Sequence, residues 1–108
     1  MTVSDILNAA ADLIEPEGCW TQGAYARAAG GHVTPHRENT AVCFCAAGAI
    51  YRATDAEIGM SPPAIAAAFE AALDAMGVRR ISEFNDAPGR TQAEVVAALR
   101  KAAKGSAS

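Results

Sequence analysis

An unbroken apolar run, Ala41-Val42-Cys43-Phe44-Cys45-Ala46-Ala47-Gly48-Ala49-Ile50-Tyr51, most limits what this chain can fold into. A run of this kind must be buried, as either a strand or a helix. The small residues Ala46, Ala47, Gly48 and Ala49 offer a sheet little side-chain surface, and alanine is the best helix former. The reading is a central helix from about Ala41 to Ala53, capped by Asn39 or Thr40. Arg52 stands near its C-terminal end, where a cation is favoured. Gly48 costs a helix interior about 1 kcal/mol against alanine, so a close helix contact is expected there.

At 108 residues the chain reads as one domain, 1–108, large enough to bury a core without a covalent staple. Hydrophobic residues make up 51% of it, but much of that is alanine, so the few large apolar residues must be well placed. Net charge is −3 and there is no basic tract, which disfavours nucleic-acid binding. No apolar run approaches twenty residues, so no membrane span is expected. The N-terminus lacks the basic and apolar regions of a signal peptide. Three cysteines do not make a complete disulfide framework, and a reduced cytoplasmic setting is expected.

Along the chain, Ser4 can cap a first helix over about Asp5 to Glu15, with Ile6, Leu7, Ala10, Leu13 and Ile14 on one face. Pro16 ends it. Residues 16–40 form a long irregular segment punctuated by glycines, anchored by Trp20 and Tyr25, with a short helix at Ala24 to Ala29. Its stretch from His32 to Asn39 is polar and expected to be exposed. Residues 54–60 form a connector. Ser61-Pro62-Pro63 starts the next helix. Its stripe is Ile65, Phe69, Ala72, Leu73 and Met76, and Gly77 is a left-handed stop. Ile81 to Asn85 reads as one helical turn with Ile81 and Phe84 inward. Thr91 and Glu94 form a capping box for a last helix ending near Ala103, and 105–108 should fray. The fold class is therefore all-α: four main helices around the central Ala/Cys-rich one.

Three groupings could carry chemistry. A thiol enzyme would use Cys45 as nucleophile, His36 or His32 as base, and Asp86 or Asn85 to orient it. Against this, free cysteines are commonly buried small hydrophobes, and Cys45 has apolar neighbours. Zinc could draw on Cys19, His32, His36, Cys43 and Cys45, since His32 and His36 have a finger-like spacing. However, Cys43-x-Cys45 lacks the usual two-residue gap, and on a helix those side chains diverge by roughly 200°. Finally, a cleft holding Trp20, Arg52, Asn85 and Asp86 would combine an aromatic wall with both charges and suit a small ligand. Asp86 is expected to be at least partly buried, bonded to backbone amides of residues 88–91, except that of proline, or to Arg90 or Arg52.

Gly18 and Trp20, Cys45-Ala46-Ala47-Gly48-Ala49-Ile50, Ile81, Phe84-Asn85-Asp86, Arg90-Thr91 and Val95 form a pattern over nearly the whole chain. It resembles an uncharacterised family of short bacterial and phage proteins with a Gly-x-Trp element, a Cys-x-x-Gly-Ala helix and an aromatic-Asn-Asp turn. The resemblance implies the architecture and the motif residues, not a reaction. Cys19, Cys43 and both histidines fall outside it. The combined expectation is a non-enzymatic binding or interaction module without a cofactor, whose partner is a protein, a small molecule or a second copy of the chain. A small hydrolase or transferase using Cys45 is the alternative.

Overall fold

The computed structural model describes residues 2–56 and 62–106. Ser61, expected to cap a helix, and most of the 54–60 connector lie outside the described residues. Among those described, five helices pack on one another and a small antiparallel sheet lies against α1 and α2: α1 (Val3–Ile14), β1 (Ala26–Ala28), β2 (Ala41–Phe44), α2 (Ala46–Thr54), α3 (Pro63–Met76), α4 (Ile81–Asn85) and α5 (Gln92–Ser106). The protein is thus mostly helical but not all-α.

The expected central helix divides at Cys45. Ala41 to Phe44 is extended, and the chain turns helical only at Ala46. Val42 and Phe44 carry the branched and aromatic surface a strand favours. Ala41 and Phe44 turn inward while Val42 faces out. β2 pairs with β1 in the register Ala26↔Phe44, Arg27↔Cys43 and Ala28↔Ala41, with a bulge between Arg27 and Ala28. The segment Ala24 to Ala29, expected to be helical, supplies β1 instead. Its alanines at 26 and 28 are buried by that pairing, which overrides their helix propensity. Trp20 bridges Phe44 in parallel on the other side of β2.

Helix α1 starts two residues earlier than expected. Thr2 and Asp5 exchange side-chain and backbone hydrogen bonds as a capping box, leaving Ser4 inside the first turn. Its apolar face, Ile6, Leu7, Ala10, Ala11 and Ile14, is buried against α5 and α2. Gly77 closes α3 in the left-handed conformation at φ 70°. The Thr91–Glu94 box opens α5 as expected, but α5 continues through Gly105 to Ser106 rather than fraying there. Leu99 and Val95 of α5 are fully buried, and α5 packs on both α1 and α3. The alanine faces meet one another inside the chain: Ala10, Ala46, Ala49, Ala68, Ala72 and Ala102 are all core residues.

Candidate functional site

The site is built around the N-terminus of α2. A helix start leaves backbone N–H groups without intrahelical partners. Here Cys45 is the cap residue, at φ −79° and ψ 174°, and its Sγ accepts from the Gly48 amide at 3.3 Å. The Ala46 amide donates to Asn85 Oδ1 at 3.0 Å, a contact spanning 39 residues of sequence. The same oxygen accepts from the Trp20 indole Nε1 at 2.8 Å, while Asn85 Nδ2 donates to the Thr21 carbonyl at 3.1 Å and to Asp86 Oδ1 at 2.8 Å. Asn85 is 1% exposed. A buried amide can persist only with such partners, and this one joins three segments far apart in sequence.

Asp86 itself is exposed, contrary to expectation. The inward polar residue of the pair is Asn85. The donors to Asp86 are Asn85 Nδ2 and the Gly23 amide at 3.0 Å, not the amides of residues 88–91. Arg90 is engaged elsewhere: its Nε donates to the Phe84 carbonyl at 2.8 Å and its guanidinium lies 3.7 Å over the Phe84 ring. Gln22 Nε2 donates to the carbonyls of Asn85 and Ala87, fastening residues 21–23 to the end of α4. On the far side of Gly48 passes the backbone of Tyr25, whose carbonyl accepts from the Cys45 amide at 3.2 Å. A Cβ at Gly48 would overlap that carbonyl. The close approach that explains this glycine is therefore made by a loop backbone, not by a second helix.

This framework opens onto a cleft of about 500 Å³. Ala24, Ala47, Phe69, Leu73 and Ile81 supply apolar walls, Cys45 also lines it, and Tyr25, Arg79, Arg80, Ser82 and Asp86 add polar groups. A family model matches residues 1–105. The chain belongs to DUF6197, a family of unknown function. No curated protein and no solved structure matches it.

In this DUF6197 chain the sequence-predicted residues divide into separate groups. Trp20, Asn85 and Asp86 converge in one hydrogen-bonded network, and Asp86 shares the cleft with Cys45. Arg52 does not join them. Its Nη1 donates to the carbonyls of His36 and Glu38 at 2.8 and 2.9 Å, and its guanidinium lies over Phe44. His36 is not the exposed residue expected. It is 5% exposed, its Nε2–H donates to the Ala56 carbonyl, and its ring packs against Tyr51. It does not line the cleft. His32 is exposed, Cys43 Sγ donates to the Gly18 carbonyl at 2.9 Å, and Cys19 is half-buried. Among the described residues no group of three or more His, Cys, Asp or Glu is arranged to hold a metal ion.

Burial pushes the Cys45 thiol above its ordinary value. The Asp86 charge acts in the same direction, against the lowering effect of the Gly48 and Ala47 amides. A helix N-terminus by itself lowers a thiol pKa, but here desolvation of the anion is the larger effect. Sequence reasoning missed the cleft residues Tyr25, Phe69, Leu73, Arg79 and Arg80. The adjacent cations Arg79 and Arg80, between the Gly77 stop and the aromatic-Asn-Asp segment, were the one visible signal. Phe69 and Leu73 are indistinguishable in sequence from the core residues of the same stripe.

Proposed function

We propose that the protein is a non-enzymatic binding module that takes a small ligand with an apolar body into the cleft between α2, α3 and α4. The observation that carries this reading is the cleft itself: about 500 Å³, apolar walls from three helices and a few polar groups at fixed places. That volume lies within the range of small-molecule sites, roughly 300–1,000 Å³. One wall is held by the Asn85 network, so the site is formed before a ligand arrives, which lowers the ordering cost of binding.

The thiol-enzyme alternative rests on Cys45 lining the same cleft. Two observations favour binding over thiol chemistry. The Cys45 thiol is pushed up rather than down, so the thiolate is scarce near neutral pH. The His36 imidazole is turned to the Ala56 carbonyl rather than to Cys45.

A thermal-shift screen of small apolar molecules against the native protein and Ala47→Leu tests the proposal. Ala47 lines the cleft and makes none of the Asn85 hydrogen bonds, so the added side chain is directed at the cavity. Ligands should raise the melting temperature of the native protein and lose that effect in the variant. Ligands that stabilise both proteins equally, or turnover that vanishes with Cys45→Ala, would contradict it.

A further inference from the structure

We propose, building on the cleft reading above, that the ligand is an aliphatic monocarboxylate, held with its head group at Arg79 and Arg80 and its chain along the apolar walls. The chain has seven arginines. Five are committed: Arg27 to Thr21, Gln22 and Gly31, Arg37 to Asp55, Arg52 to the His36 and Glu38 carbonyls, Arg90 to Phe84 and Glu94, and Arg100 to Asn8, Asp12 and Glu15. Arg79 and Arg80 alone have no ion pair or hydrogen-bonded partner among the described residues, and both line the cleft. On a chain of net charge −3, two adjacent unpartnered guanidiniums beside an apolar cavity are a local reversal of sign. Guanidinium donors match a carboxylate in charge and in forked geometry.

The opposite charge sets the orientation. Arg80 is the N-cap of α4 and Asp86 its C-cap, six residues apart. At a rise of about 1.5 Å per residue they stand roughly 9 Å apart along the helix axis. Ile81 lies between them on the cleft wall, with Phe69 and Leu73 contributed by α3. A ligand with one anionic end is attracted at Arg79–Arg80 and repelled at Asp86, so it enters in one direction. A chain with a carboxylate at each end would bring its second charge towards Asp86 and be rejected, a repulsive element that gives specificity.

The test is calorimetric titration at low salt with four probes of one chain length: octanoate, octanol, octylamine and suberate. Octanoate should bind best, with suberate and octylamine each roughly fivefold or more weaker. Shortening to hexanoate should weaken binding by up to about fourfold per methylene. The double variant Arg79→Ala/Arg80→Ala, whose residues are exposed, should retain the native melting temperature. It should lose roughly fivefold to tenfold of octanoate affinity and leave octanol unchanged. Asp86→Asn should raise suberate affinity towards that of octanoate. Equal binding of octanol and octanoate, or an unchanged octanoate affinity in the double variant, overturns the carboxylate inference. If binding in those cases is still lost in Ala47→Leu, the cleft reading survives. Octanoate binding that persists in Ala47→Leu overturns both.

Discussion

The Asn85 side chain ties together three segments distant in sequence. Its carbonyl oxygen takes the Trp20 indole and the first free amide of α2, and its NH2 group reaches the Thr21 carbonyl. Asn85→Ala strands the buried Ala46 amide and the half-buried Trp20 and Thr21 groups, each at about 1–3 kcal/mol, so a loss of about 3 kcal/mol or more is expected in chemical denaturation. Gly48→Ala reverses the ordinary helix rule. In an open helix the change gains about 1 kcal/mol, but here the new methyl meets the Tyr25 carbonyl, a backbone atom that cannot move aside alone. The variant should be strongly destabilised, and a melting temperature equal to or above native would contradict the close approach. Cys45 predicts a pH dependence. Its thiol is raised in the folded state, so its contribution is fully present below the unfolded value near 9.0 and is lost as pH rises through the raised folded value. Stability should therefore fall over the window that opens at the unfolded value near 9.0 and closes at the raised folded one. Cys45→Ala should fall less over the same window; an identical slope in the two proteins would assign the loss elsewhere, with Tyr25, also raised by burial, the next group to test.

At the scale of elements, the boundaries written in ordinary capping chemistry were legible. Gly77 ends α3, Thr91 and Glu94 open α5, and the turn from Ile81 to Asn85 forms where the apolar spacing puts it. The junction inside the apolar run was not legible, because its cap is a cysteine. Ser, Thr, Asp and Asn are the residues that announce a helix start, and a cap completed by Asn85 from 39 residues away leaves no local trace. For the same reason β1 was invisible: three residues of alanine and arginine become a strand only because β2 lies alongside. Trp20, Asn85 and Asp86 could be singled out, yet which of the last two is buried depends on how α4 sits on the domain. Helix α5 carries a prediction of its own. Leu99 is fully buried where α5 meets the core, so Leu99→Ala should cost about 2–5 kcal/mol. A loss under 1 kcal/mol by urea denaturation would mean that α5 is not packed there.

Taken whole, the described part of the molecule is a helical core of α1, α2, α3 and α5 with a short sheet against α1 and α2, and long-range hydrogen bonds converge on the start of α2. No helix among the described residues is long and apolar enough to cross a membrane. Apolar side chains of α2, α3 and α4 line the cleft, beside the Trp20–Asn85–Asp86 network. On the function proposed above, this cleft is where the protein meets its ligand. The most direct measurement is an amide-resolved NMR titration with octanoate. Fast-exchange shifts are expected on residues 23–25, 45–47, 69–73 and 79–82, with the Trp20 indole resonance nearly unmoved because its partner is already in place. Shifts confined to the exposed Val33 and Val42 region, or none at saturating concentration, would contradict it.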